Sequence, residues 1–249
     1  MRALVLCHEP DGPAAQVERR LVQRGFEVDT HLVTAEYDRP NVAAPFPDTT
    51  GYDLIVPMGS TRSLTRRHEI DSWVDDEIDI IRDAHERGTP VLGVCFGGQL
   101  IAEALGGSVG PAPFTEIGWF EIGDGDLPNP VGPGPWLEWH HDSFTAPPGA
   151  DVLARNEAGV QLIRIDRTVG TQFHPEVDVP HVEMFLEPTP DEYLAEHSVT
   201  REQLLADTRR HESANIARCH ALVDWFLDEV AFPDGVAATA SATPVEGPR

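Results

Sequence analysis

The 249-residue chain contains no lysine; all 18 of its basic residues are arginine. That absence removes whole classes of chemistry. No side-chain amine is available to form a Schiff base with a carbonyl substrate or to complete a phosphate-binding loop. A step driven by ATP therefore falls to another polypeptide. Cysteine is nearly as scarce: Cys7, Cys95 and Cys219 are an odd set with no C-x-x-C pair. The pattern argues against a disulfide framework and a cysteine-built zinc site, and free thiols suit a reducing compartment. No apolar run approaches the roughly 20 residues of a membrane span. The stretch Ala3–Leu6, followed soon by Pro10 and Gly12, is too short for a signal-peptide core and reads as a first strand. A cytoplasmic protein without membrane contact is expected. Positive charge is also short: 42 acidic residues outweigh the arginines, for a formal net charge of −24. Such a surface repels phosphate backbones, so no nucleic-acid partner is expected, and its simplest consequence is solubility.

Strand-like and helix-like segments alternate through the first half of the chain. Ala3–Cys7, Asp53–Met58 and Pro90–Val94 read as strands. Ala14–Arg24, Asp71–Arg87 and Gly97–Leu105 read as helices, each closed by a glycine (Gly25, Gly88, Gly106). This alternation predicts an open, mostly parallel α/β sheet with helices on both faces. Further on, Glu116–Ile122, Trp136–His140, Asp151–Arg155, Val160–Ile165 and Val169–Phe173 read as short strands, some continuing the sheet and some forming an antiparallel add-on. Gly123–Pro135, rich in Gly and Pro, reads as a loop. Arg201–Val230 is a long helix with Cys219, Leu222, Val223, Phe226, Leu227 and Val230 on one face. Pro233 cannot continue it. One domain over residues 1–232 is expected, with a disordered tail over 233–249.

The segment Gly93-Val94-Cys95-Phe96-Gly97-Gly98-Gln99 leaves a strand and opens a helix. It is the cysteine form of the G-x-S-x-G elbow, in which a sharp turn pushes the nucleophile out at the carboxyl edge of the sheet. Glycines two residues before and after remove Cβ clashes. The helix N-terminus favours a thiolate, and the Phe96 N–H can face a developing oxyanion. A free cysteine is often simply core, and Cys219, on the apolar stripe of a helix, and Cys7, at a strand end, read that way.

A thiolate attacking an amide needs an acid to protonate the leaving nitrogen. Thr171-Gln172-Phe173-His174-Pro175-Glu176 offers one just after a strand. Pro175 turns the chain, and Glu176 is near enough to accept from the second imidazole nitrogen and fix the tautomer. Alone, a His-Pro-Glu turn is common at surfaces; about eighty residues after an elbow cysteine it reads as the partner pair.

Gly-Val-Cys-Phe-Gly-Gly-Gln followed by Phe-His-Pro-Glu resembles the class I, or triad, glutamine amidotransferases. Thr115-Glu116-Ile117-Gly118-Trp119 and Trp139-His140-His141-Asp142-Ser143-Phe144, leading to Pro147-Pro148-Gly149-Ala150, resemble two further stretches of that family. The likeness is strongest to stand-alone members similar to the glutaminase part of GMP synthase. It implies a flavodoxin-like three-layer fold with the triad at the carboxyl ends of the strands. It also implies attack by Cys95 on the glutamine side-chain amide, proton transfer by His174, orientation by Glu176, and delivery of ammonia to a separate synthetase. The family's second oxyanion donor falls on Gly59 in Pro57-Met58-Gly59-Ser60, where Met58 departs from the usual glycine pair. Gln99 matches a position that shapes the substrate pocket, although a structural hydrogen bond is its competing role. No cofactor is implied.

His140, His141 and Asp142 lack the spacing of a zinc pair, and no metal is expected. Trp119, Trp136 and Trp139 read as core. The run Asp75, Asp76, Glu77 and Asp79 reads as a solvated helix face. Gly106-Gly107 ends a helix and is no dinucleotide fingerprint. Two other functions compete with the glutaminase. One is hydrolysis of a different γ-glutamyl amide, and the other an idle regulatory protein on the same scaffold, against which the intact Cys95, His174 and Glu176 set argues.

Overall fold

In the computed structural model, residues 1–233 and 235 are described; the expected tail otherwise lies outside them. An eight-stranded sheet forms the centre, in the order β2-β1-β3-β4-β10-β9-β8-β6. β1 (Arg2–Cys7), β2 (Glu27–Leu32), β3 (Leu54–Pro57), β4 (Val91–Val94) and β10 (Thr168–Thr171) run parallel. β9 (Gly159–Ile165), β8 (Asp151–Asn156) and β6 (Gly123–Asp124) continue the sheet antiparallel. The family-type α/β sheet expected from the alternation is therefore present.

Strand alternation builds two cores. Ala3, Val5, Leu54 and Val56 meet α1 (Ala15–Gln23) and α6 (Arg201–Trp225) on one face. Leu4, Leu6, Ile55 and Val91 meet α2 (Val74–Glu86) and α3 (Phe96–Ala104) on the other. The stripe predicted on the last helix is buried, and its end, Phe226–Ala231, winds into π-helical turns before Pro233.

Several elements depart from the sequence expectation. β2, E-V-D-T-H-L, was not expected; as an edge strand it is only partly covered, so its polar residues carry no burial signal. β5 (Val109–Phe120) and β7 (Trp136–Phe144) are longer than the strands read there and form a separate two-stranded antiparallel add-on, joined to the segment after β10 by one bridge from Leu137 to His174. Residues 123–124, assigned to a loop, pair with β8. Two short helices, α4 (Val179–Leu186) and α5 (Asp191–Glu196), were not expected. They bury Val182, Leu186 and Leu194 in a third core with Ile117 and Leu137 of the add-on. That packing places a wall over the carboxyl ends of the strands.

Candidate active site

Cys95 stands between β4 and α3 with φ 52° and ψ −106°, outside the basins that L-residues prefer. The turn is pinned by its neighbours. The Cys95 N–H donates to the Thr171 carbonyl (2.8 Å) and the Gly97 N–H to the Met58 carbonyl (3.0 Å). Close approach is what demands glycine here. A Cβ on Gly97 would overlap the Pro57 carbonyl, and one on Gly93 would fall 2.5 Å from the Gly97 oxygen. Phe96 follows at the first turn of α3, where backbone N–H groups lack intrahelical acceptors.

His174 follows β10 and is tied by its own N–H to the Leu137 carbonyl of β7 (2.8 Å). Its Nδ1 lies 2.7 Å from Glu176 Oε1, and both side chains are buried. The His-Pro-Glu turn is clamped from behind: Asn215 of α6 donates to the Pro175 and Val177 carbonyls (3.1 and 2.9 Å), and the Gln16 N–H donates to the Glu176 carbonyl (3.1 Å). Burial would depress the His174 pKa, but the Glu176 carboxylate and the Cys95 sulfur beside the ring outweigh it and hold the imidazole well above its ordinary value. A buried ring whose Nδ1 is committed to a carboxylate presents Nε2 for proton transfer.

Gly59 closes the third side. A Cβ there would lie 3.0 Å from His174 Cε1 and 3.8 Å from Cys95 Cβ, so a side chain would crowd the imidazole that glycine lets the loop approach. Met58 needs no glycine: its φ is ordinary, its side chain is core, and its N–H donates to the Leu6 carbonyl (3.0 Å). Gln99 is buried; its amide donates to the Asp142 carbonyl (3.3 Å) and to Gln172 Oε1 (3.2 Å), so both of its weighed roles find support in its place at the cavity wall. Gln172 in turn donates toward Cys95 Sγ (3.6 Å). Sequence reading passed over Gln172, although it stands two residues before His174; strand alternation, which puts it on the Cys95 side, was the available signal.

A cavity of about 760 Å³ opens over Cys95, His174 and Gly59. Phe185 of α4 and Tyr193 of α5 form one wall, and Glu9, Arg62 and Asp142 contribute charge. Trp136 is fully buried against Phe173 and Trp119 bonds Thr208, as core residues would; Trp139 packs against the third core and also lines the cavity. Cys7 and Cys219 are buried away from it. Burial pushes the Cys7 thiol up to about 12 and raises that of Cys219 well above its ordinary value.

At the cavity wall, Glu116 and Glu138 cluster with the lining residue His140, their ligand-type atoms within 4.8 Å of one another. The donor set does not favour an ion. His140 Nδ1 faces the Asp142 carbonyl and Nε2 faces Glu116 Oε2, each at 2.9 Å. Both partners only accept, so the imidazole carries both protons and its Nε2–H occupies the space between the carboxylates. Burial opposes that charge, but hydrogen bonds to Glu116 and Glu138 raise His140 to about 10. Burial drives Glu138 up to about 7.

Comparisons with known proteins point to one family. The family model described as glutamine amidotransferase class-I matches residues 13–184. GMP synthase [glutamine-hydrolyzing] of Aeropyrum pernix is 43% identical over 98 residues, covering 36% of this chain and 19% of the relative, so the chain spans about a fifth of that enzyme. A glutamine amidotransferase-like protein of Salmonella typhimurium, YfeJ, is 29% identical over 194 residues, 74% of this chain and 79% of the relative. Among solved structures, a glutamine amidotransferase from Thermotoga maritima superposes with a TM-score of 0.78 at 21% identity, covering 92% of this chain and 98% of that one. One from Methylobacillus flagellatus gives 0.75 at 22%, covering 91% and 94%. No helix among the described residues is long and apolar enough to cross a membrane. With the family model spanning most of its length, the chain belongs to the class-I glutamine amidotransferase family.

Proposed function

We propose that the protein is a cysteine-dependent glutaminase that hydrolyses the side-chain amide of glutamine and hands the ammonia to a separate synthetase. The observation that carries the reading is the placement of Cys95, on a strained elbow, against a buried His174 bonded at 2.7 Å to Glu176. Cys95 Sγ attacks the amide carbon, and the oxyanion is met by the Phe96 and Gly59 N–H groups. His174 Nε2 gives its proton to the amide nitrogen as the C–N bond breaks and ammonia leaves. Water then attacks the thioester, His174 takes its proton, and glutamate departs. Glu176 holds the imidazole tautomer throughout. Gln172 donates toward the sulfur, and Gln99 lines the pocket beside it. The likeness to part of GMP synthase supports a synthetase partner.

A second reading draws on the cavity, whose 760 Å³ and aromatic wall of Trp139, Phe185 and Tyr193 leave room beyond a glutamine side chain. On this reading the substrate is a γ-glutamyl amide with a larger amine. One experiment tests both: ammonia or amine release from glutamine and from a panel of γ-glutamyl amides, with and without an added synthetase, beside labelling by a glutamine-analogue electrophile. The first reading expects slow glutamine hydrolysis that a cognate synthetase accelerates, with Cys95 labelled and Cys7 and Cys219 spared. Fast, partner-independent turnover of a γ-glutamyl amide with negligible glutamine hydrolysis selects the second. Labelling of Cys219 with Cys95 untouched refutes both.

A further inference from the structure

Glu77 was expected on a solvated helix face, but it is fully buried, and so is His8, the residue that follows β1. His8 Nε2 lies 3.1 and 3.0 Å from the two Glu77 oxygens, and its Nδ1 lies 3.0 Å from the Gly59 carbonyl oxygen. The ring stacks on Trp73 (5.6 Å) and meets the edge of Phe96 (5.0 Å). A carbonyl and a carboxylate both only accept, so His8 must donate from both nitrogens and is an imidazolium. The buried charges then compensate each other.

Glycine at position 59 gives the loop its close approach to His174 without crowding, and it leaves the peptides on either side free to rotate. Each is fastened by a different group. The Met58 carbonyl accepts from the Gly97 N–H (3.0 Å), and the Gly59 carbonyl accepts from His8. Beyond them, Ser60 Oγ donates to Glu9 Oε1 (2.8 Å) and the Thr61 N–H to Glu9 Oε2 (3.3 Å). We propose that the His8–Glu77 pair is a positioning device for the oxyanion loop, in which the His8 imidazolium holds the Gly59–Ser60 peptide by its carbonyl and so fixes the torsions about the Gly59 Cα, next to the Met58–Gly59 peptide whose N–H faces the reacting amide. The inference rests on the hydrolase reading above, since it assigns His8 no role apart from that chemistry.

The charged and titratable groups around His8 are Glu77 on α2, Glu9, the next residue along the chain, and His174 across Gly59; His31 lies beyond Glu77 on β2, and Trp73 and Phe96 are uncharged. Burial lowers the His8 pKa, and Glu77 outweighs burial and sets it at about 9. Once the proton is lost, Glu77 keeps Nε2–H as its partner, so Nδ1 turns a lone pair toward the Gly59 carbonyl and the loop is released. A glutamine at position 77 reverses this. Its amide N–H donates to Nε2, fixes the Nδ1–H tautomer and keeps Gly59 held at any alkaline pH.

The test uses the full chain and the variants Glu77→Gln, His8→Asn and His8→Phe, with glutamine and γ-glutamyl-p-nitroanilide as substrates between pH 6 and 10. Urea unfolding of each variant accompanies the kinetics. The kcat ratio of Glu77→Gln to wild type, in which His174's own ionisation cancels, is expected to rise several-fold from pH 8 to 10. His8→Phe is expected to lose about 10-fold in kcat with KM within roughly threefold, less than the roughly 100-fold that outright loss of an oxyanion donor costs, since the Gly59 N–H remains but is held less firmly. His8→Asn, which keeps a donor at the Nδ1 position, recovers most of that loss. A Glu77→Gln ratio flat with pH overturns the proposal, as does His8→Asn no more active than a folded His8→Phe. If His8→Phe fails to fold, the near-isosteric Glu77→Gln ratio alone decides. Wild-type protein inactive on every γ-glutamyl amide instead refutes the hydrolase reading itself, a result distinct from active protein with unaffected variants.

Discussion

The backbone of Cys95 makes a quantitative prediction. With φ 52° and ψ −106°, a side chain sits where only glycine is comfortable, and such a residue stores about 1–3 kcal/mol. Consider Cys95→Ala and Cys95→Gly, both without a thiol. At an unstrained buried site, going from Ala to Gly loses about 0.8 kcal/mol for the methyl group and 0.5–1 kcal/mol in backbone entropy, roughly 1.5 kcal/mol together. At position 95 the same step also releases the strain, about 2 kcal/mol at mid-range. We therefore expect Cys95→Gly to match Cys95→Ala in stability to within about 1 kcal/mol. Ala102, fully buried in α3, provides the unstrained control, and Ala102→Gly should cost the full 1.5 kcal/mol or more. Urea unfolding with linear extrapolation resolves the difference, provided that m-values agree. If Cys95→Gly falls below Cys95→Ala by as much as Ala102→Gly falls below wild type, the elbow is not strained and the nucleophile is not presented at an energetic cost.

His174→Ala should reduce kcat for amide hydrolysis by several powers of ten, and Glu176→Gln by about 10- to 100-fold less, because Glu176 acts only through the imidazole; steady-state ammonia release checks the order, and a reversed order refutes the assigned roles. Glu138 should make stability fall with pH. Its folded pKa of about 7 is above its ordinary 4.5, so between those values the native state binds more protons than the unfolded chain and loses stability as pH rises. Glu138→Gln should therefore melt at a higher temperature than wild type at pH 8 and show little gain at pH 4.5; a melting difference independent of pH contradicts the burial argument. Gly97→Ala should destabilise by about 3 kcal/mol or more, since its Cβ meets the Pro57 backbone and not a side chain that could turn away; a soluble variant with a wild-type urea midpoint would show that the elbow and β3 are less closely packed than described here.

In a chain without lysine, buried positive charge around the cavity falls to histidine. His8 with Glu77, His140 with Glu116 and His174 with Glu176 each place an imidazole against a carboxylate at 2.7 to 3.1 Å. Of the three pairs, sequence reading found only the last. Its partners are two residues apart and sit at a proline turn, so local geometry forces them together. Cys95 was legible for the same reason: glycine spacing, strand exit and helix start all lie within seven residues. Local pattern likewise determined β1, β3, β4, α2 and α3: the strands are short continuous apolar runs buried on both faces, and the helices that follow β3 and β4 end at glycines. Tertiary structure decided what has no local period. Glu77 looks like its acidic neighbours on α2, and only the register of β1 against β3, which carries His8 to the Gly59 loop, shows that it is buried. Glu116 and His140 face each other because β5 pairs with β7 away from the main sheet. The α4–α5 wall is helical through packing against that add-on. A polar side chain is buried when a partner elsewhere in the chain satisfies it, and that partner is 69 residues away for His8 and 24 for His140, a separation that only the folded sheet closes.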